Sequence, residues 1–276
     1  MRIRIDYTTA YDYSQAASSV VQLLRVQPRG GWDQHVRRWR VDVDADGSLR
    51  AGTDVFGNAT HLFTASSPVT RLAISVTGEV DTDDAHGAVR GFLEPLPPAM
   101  FLRSTDLTTP DAAIAAFAHD QPQNDILDTL HALNLALGDR MVFDAEATGT
   151  GTDAVTAFTQ ARGVCQDYTH VFCAAARILG IPARYVSGHY VRPEAQPAGH
   201  AWAEALVPDL GWVGFDPTNG ISVTPAHVRV AVGLDYLDAA PVRGARRGGG
   251  TETMHVAVSA VDTGAASRQS QHQGQA

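Results

Sequence analysis

The sequence contains no lysine: all 21 basic residues are arginine, set against 30 Asp and Glu, for a net charge of −9. That balance offers no overall field for a polyanion. The densest basic groupings are only Arg37-Arg38 with Arg40, and Arg243 with Arg246-Arg247, so nucleic acid is not an expected partner. Long apolar runs are missing too. No stretch approaches the roughly 20 residues a membrane helix needs, and Arg2, Arg4 and Asp6 interrupt what a leader would require. A cytoplasmic location and no membrane partner are the expectation. Cysteine is scarce, with Cys165 and Cys173 alone. If both share a helix, eight residues hold their Cα atoms about 12 Å apart, beyond disulfide reach. Two free thiols fit a reducing compartment.

What is present is an ordinary globular balance: 276 residues, 44% hydrophobic and 18% charged, enough for one large or two modest domains. Residues 1–100 read as a β-rich N-terminal domain. Ile3, Ile5 and Tyr7 alternate with polar residues, as do Trp39 to Val43 and Arg71 to Val76, with turn signals at Asp46-Gly47 and Gly57-Asn58. His35, His61 and His86 are isolated there and read as structural. Asp42, Asp44 and Asp46 alternate in a way that fits a solvated strand face better than a Ca²⁺ site.

Glu94-Pro95-Leu96-Pro97-Pro98 is a stiff connector, and beyond it the pattern turns helical. Thr109-Pro110-Asp111 marks a helix start. Ile126, Leu130, Leu133 and Leu137 recur at helical spacing until Gly138, where the helix is expected to stop. Residues 148–152 read as a loop, and Ala154 to Gln160 as a helix. Met254 to Val261 reads as a closing strand of a core spanning 101–262. The remainder, 263–276, is polar and reads as a disordered tail.

Three segments carry chemistry. In the first, Gly163-Val164-Cys165-Gln166-Asp167-Tyr168 precedes an apolar helix stopped by Gly180 and Pro182. Cys165 therefore sits at a helix start, where unpaired N–H groups and the dipole favour a thiolate and offer a place for an oxyanion. Asp167 suits the first turn, although its charge opposes thiolate formation. Taken without further context, Cys165 reads more readily as a buried small hydrophobe, and Cys173, among apolar residues, is read that way. The second segment, Gly199 to Leu206, puts His200, Trp202 and Glu204 on one strand face and three alanines on the other, small enough to pack closely on a helix. In the third, Gly211 to Gly220, Trp212, Gly214 and Asp216 share a face and Pro217 ends the strand.

Pro208-Asp209-Leu210 forms a short link, so these two strands are expected to form a hairpin. A three-residue loop pairs Val207 with Gly211 and Trp202 with Asp216. Asp216 then lies diagonal to His200 on the same face, about 7–8 Å away between Cα atoms. An even loop without a bulge would separate them. Taken singly, each residue has a structural reading; taken together, Cys165, His200 and Asp216 form the set nucleophile, base and orienting carboxylate.

Four stretches resemble the transglutaminase-like superfamily, in particular bacterial members with a β-rich N-terminal domain. They are Gly-Val-Cys-Gln-Asp at 163–167, Leu-Gly-Ile-Pro-Ala-Arg-Tyr-Val-Ser-Gly at 179–188, His-Ala-Trp-Ala-Glu at 200–204 and Gly-Trp-Val-Gly-Phe-Asp-Pro-Thr-Asn-Gly at 211–220. Gly233-Leu234-Asp235-Tyr236, with Asp238 and Pro241 after it, and Phe56-Gly57-Asn58 extend the likeness. The resemblance implies an α+β fold: a papain-like core in which the helix carrying Cys165 packs on an antiparallel sheet. It also implies Cys165 as nucleophile, His200 as general base and Asp216 as orienting carboxylate. Gln166, Tyr168, Tyr190 and Trp202 are candidates for the substrate cleft. One oxyanion donor is the Cys165 N–H; the second is left open. No cofactor or metal is called for: His189 and His200 lack ligand spacing with the cysteines, and His170, a turn and a half along the helix, faces away from Cys165 and reads as structural.

The expected activity is attack on a peptide or protein amide through a thioester, resolved by water as in a peptidase or amidase. Transfer to an amine is the alternative; absence of lysine is compatible with it but does not argue for it. A non-catalytic binding scaffold is the third reading, and fold alone does not choose among them.

Overall fold

In the computed structural model, residues 1–121, 123–191 and 199–264 are described. The chain opens on β1 (Arg2–Gln27), β2 (Gln34–Val43), β3 (Gly47–Thr53), β4 (Ala59–Ala65), β5 (Val69–Thr82) and the short β6 (Ala88–Val89). Helices α1 (Ala112–His119) and α2 (Ile126–Arg140) follow, then β7 (Val142–Phe143), α3 (Ala154–Gln160), β8 (Arg162–Gly163) and α4 (Cys165–Ile178). The remainder is β9 (Ala183–Tyr190), β10 (His200–Val207), β11 (Gly211–Asp216), β12 (Ile221–Ser222), β13 (His227–Gly233), α5 (Tyr236–Ala239), β14 (Val242–Gly248) and β15 (Glu252–Asp262).

Two antiparallel sheets result. The first runs β2-β5-β1-β4-β3, with β14 and β15 laid end to end along β1; the second runs β12-β11-β10-β9-β13, with β6 on β11. Strand β1 is far longer than its alternation reveals. Its buried residues are mainly odd-numbered from Ile3 to Tyr13, with Ala17 after them, and mainly even-numbered from Val20 to Val26. A register shift between Ala17 and Ser19 against β14 lets one strand keep its apolar face inward through that change. The boundary near residue 100 is crossed in both directions. Residues 88–89 join the second sheet, and 242–262, expected in the core, pair with β1 instead. The tail beyond 264 lies outside the described residues.

The helices start where the sequence places them: Asp111 and Asp153 accept the backbone N–H groups of Ile114 and Thr156 at 2.9 and 2.7 Å. Gly138 does not stop α2, which runs on to Arg140. A Cβ on Gly138 would stand 3.4 Å from the Pro217 carbonyl, an ordinary contact, and a single glycine within a helix does not by itself end it. Helix α4 is buried from Gln166 to Arg177. It lies between α1, α2 and α3 on one side and the Ala201, Ala203 and Ala205 face of β10 on the other. It closes in a Schellman motif, with Gly180 N–H to the Arg177 carbonyl and Ile181 N–H to the Ala176 carbonyl, both 3.0 Å.

The opposite face of the second sheet rests on the first domain. Its edge strand, β13, is closed not by another strand but by two buried amides. Gln34 accepts from Arg229 N–H at 2.8 Å and donates to the Arg229 carbonyl at 2.9 Å. Asn58 does the same at Val232, at 2.8 and 2.7 Å. Asn58 reaches that position because Asp54 holds the Phe56-Gly57-Asn58 turn, accepting the N–H groups of Phe56 and Asn58. Asn58→Ala leaves the buried Val232 N–H and carbonyl unpaired. A loss of about 2–3 kcal/mol in unfolding free energy is expected, read from denaturant melts.

Candidate active site

Cys165 is the first residue of α4 and is only partly buried. As N1 and N2 of that helix, the amides of Cys165 and Gln166 have no acceptor within it. The helix start is fixed from behind. The Asp167 carboxylate folds back to accept the Val164 N–H at 2.7 Å and the Thr148 hydroxyl at 2.6 Å. A Cβ on Gly163 would fall on that carboxylate, which explains the glycine two residues before the cysteine. Burial raises the Asp167 pKa, while those two donors lower it.

His200 opens β10 and Asp216 closes β11, both buried. The link between the strands is three residues, with Asp209 at φ 64° and Gly211 at φ 83°, and Val207 pairs with Gly211. The odd loop puts His200 and Asp216 on one face, and His200 Nε2 meets Asp216 Oδ2 at 2.7 Å. With Nε2 so engaged, Nδ1 is the ring nitrogen left for the Cys165 sulfur, whose hydrogen bond also acts on His200.

Burial lowers the His200 pKa, but hydrogen bonds to Asp216 and Cys165 and the charges of both outweigh it and lift it to about 9. Burial opposes ionisation of Asp216 as well, yet its bonds to His200 and His227 hold it well below the usual carboxylate range. His200 is raised above its ordinary 6.5, so the stability it contributes is complete below that value and lost as pH climbs through about 9. The reaction of Cys165 with an anionic alkylating agent such as iodoacetate, drawn by the imidazolium, is expected to fall off over the same interval. A rate still rising through pH 9 would contradict this pairing.

Two residues that sequence reading passed over complete the cluster. The Asn219 amide donates to Asp216 Oδ2 at 2.5 Å, and His227 Nε2 approaches the same oxygen at 3.1 Å. Asn219 lay inside a matching stretch without a role; His227 belonged to no motif. His200, Asp216 and His227 offer three ligand atoms within 4.8 Å of one another. At 2.7 and 3.1 Å from one carboxylate oxygen, the two ring nitrogens stand at hydrogen-bond spacing, not on either side of an ion.

The four cleft candidates fall in different places. The half-buried Tyr190 stacks on the His227 ring at 4.3 Å and lies 5.3 Å from the His200 ring, beside the cluster. Gln166 turns toward the 148–152 loop, donating to the Thr150 carbonyl at 3.3 Å. Tyr168 points into the core, its hydroxyl on the Met141 carbonyl at 2.6 Å. Trp202 is 1% exposed and packs with Val186 and Val232 behind the cluster, facing the N-terminal domain. Glu204, on the same strand face, sits in a buried ion network with Arg184 and Arg229.

Residues 115–217, which hold all three of Cys165, His200 and Asp216, match the transglutaminase-like superfamily core. Residues 3–81 match the bacterial transglutaminase-like N-terminal region. A crystal structure of a Cytophaga hutchinsonii protein, proposed to be a cysteine protease, superposes with a TM-score of 0.76. It is 22% identical and covers 95% of this chain and 91% of its own, a likeness of fold. An uncharacterised Mycobacterium leprae protein is 29% identical over 93% of this chain and 97% of its own length. A protein-glutamine gamma-glutamyltransferase of Pseudomonas aeruginosa is 32% identical over 45% of this chain and 20% of its own. With both its N-terminal region and its core matched, the chain belongs to the transglutaminase-like superfamily.

Proposed function

We propose that the protein is a cysteine-nucleophile hydrolase of peptide or protein amides, with Cys165, His200 and Asp216 as its catalytic triad. The observation that carries this reading is the ordered contact from the helix-start sulfur to His200 and from His200 to the buried Asp216. The Cys165 thiolate attacks the amide carbonyl carbon, forming a C–S bond. The oxyanion takes the free N–H of the helix start. His200 gives its Nδ1 proton to the leaving nitrogen, the C–N bond breaks, and a thioester remains. His200 then takes a proton from water as its oxygen attacks, and the acid leaves as the thiolate re-forms.

One observation favours a second reading: the identity shared with the Pseudomonas glutamyltransferase. In that reading an amine, not water, resolves the thioester. Incubation with a glutamine peptide and a labelled primary amine separates the two. Either path expels the leaving amine when the thioester forms, so the acyl product decides: free carboxylic acid without label supports hydrolysis, and labelled amide outpacing free acid overturns it in favour of transfer. Equal and sluggish alkylation of Cys165 and Cys173 would remove both.

A further inference from the structure

Asp216 is 0% exposed, and its Oδ2 atom is shared by three donors from three parts of the chain: His200 on β10, Asn219 in the following turn and His227 on β13. The His227 contact is defined down to its proton. The Thr224 backbone N–H donates to His227 Nδ1 at 3.1 Å, so that nitrogen is an acceptor. A neutral His227 must therefore carry its proton on Nε2, aimed at Asp216. Burial, the largest influence, lowers the His227 pKa and keeps the ring neutral, with the nearby His200 cation acting the same way.

The ring itself is clamped. Tyr190 stacks on one face at 4.3 Å, and the Trp202 indole meets it edge-on at 5.2 Å. Among titratable and charged groups, Asp216, His200 and Tyr190 face it from β11, β10 and β9. Asp33, Asp83, Glu204 and Arg229 line the small cavity on its other side. The strand that carries it is held from outside by Gln34, and the Thr82 hydroxyl donates to the Pro225 carbonyl at 2.6 Å just ahead of it. The N-terminal domain thus grips the element that delivers this donor.

We infer that His227 is a positioning residue: its Nε2–H anchors Asp216 Oδ2 so that the carboxylate stays ionised and aimed at His200 Nε2. The inference rests on the catalytic reading of Cys165 and His200, and it explains why a fully buried carboxylate remains an anion facing one ring edge. Without His227 the carboxylate would keep His200 and Asn219, which lies only three residues along the same turn and moves with it. His227 adds a donor from a separate strand, fixing the carboxylate relative to the sheet.

Two measurements test it. The first is ¹⁵N NMR of the histidine rings in the intact protein, which needs no activity. His227 is expected as the neutral Nε2–H tautomer at pH 7; a cation or an Nδ1–H tautomer would overturn the inference outright. The second is the rate of Cys165 alkylation by iodoacetate across pH, in the wild type, His227→Phe and His227→Gln. In His227→Phe the neutral-pH rate is expected to fall about tenfold or more, the scale of one charge-assisted hydrogen bond. The alkaline limb should slip at least half a pH unit below its wild-type place near 9. His227→Gln, whose amide places an N–H near the same spot, should recover both. An unchanged rate and limb in His227→Phe, a limb that rises, or equal losses in both variants would each refute positioning. If wild-type Cys165 reacts no faster than Cys173, the catalytic reading fails instead, and the NMR result still decides the anchor.

Discussion

Replacing Cys165 by alanine is expected to lower amide turnover on the order of 10⁴-fold or more, because removing the nucleophile leaves only binding and the oxyanion site. The informative control is the other thiol. Cys173 lies two turns along the same helix, 0% exposed, and burial pushes its thiol up to about 11. At pH 7 that corresponds to roughly one ionised molecule in 10⁴, with no access for a reagent. Iodoacetate should therefore label one site in the folded wild type, identified by mass spectrometry as Cys165, and none in Cys165→Ala. Cys173→Ala removes one small buried group and should keep turnover within about threefold, at a modest cost in stability. Turnover surviving in Cys165→Ala would remove the proposed mechanism.

The second large effect lies away from the chemistry. Arg184 and Glu204 are each 0% exposed, with Nε to Oε2 at 2.7 Å. Glu94 contacts the Arg184 fork from the connector, Arg229 contacts Glu204 at 2.8 Å, and Arg184 lies 3.9 Å over the Trp212 ring. Two cations face two carboxylates. Glu204→Ala leaves Arg184 with Glu94 and takes from Arg229 the carboxylate it bonds, and breaking one partner out of a buried pair costs about 3–5 kcal/mol. Equilibrium denaturation should show that loss; a change under about 1 kcal/mol would mean the arginines find solvent. The pH dependence has a definite sign. Burial raises the Glu204 pKa, but the two arginines outweigh it and leave it below its ordinary 4.5. Its contribution is therefore present above that value and lost as pH falls through the lower folded-state pKa. The variant should lose less stability than the wild type between pH 5 and acid.

The sequence reading and the structure part at identifiable places. Local signals were legible where one residue's own chemistry decides: the Asp caps on α1 and α3, the Gly180 stop of α4 and the alanine face of β10. The parity argument for the Pro208–Leu210 loop worked because strand alternation has a period of two, so an odd loop fixes which side chains share a face. Gly138 misled because a glycine late in a helix resembles a stop, whereas one glycine only weakens a helix and α2 runs on to Arg140. Glu204 and Trp202 shared a face with His200 as expected, yet strand position does not say what lies across that face. Across it lie Arg184, Arg229 and the N-terminal domain.

By itself the sequence determined a β-rich first region, a helical second one, and the set of Cys165, His200 and Asp216 in compatible local settings. Those follow from propensity, capping and periodicity, which act over a few residues. Tertiary structure alone decided what those residues meet. It brought β14 and β15 back to β1 across more than two hundred residues of chain, and closed β13 with Gln34 and Asn58. It also set His227, which no local pattern marks, against the carboxylate that orients His200. Burial, pKa and the sharing of a single oxygen belong to contacts between distant segments. They exist only once the two sheets have packed.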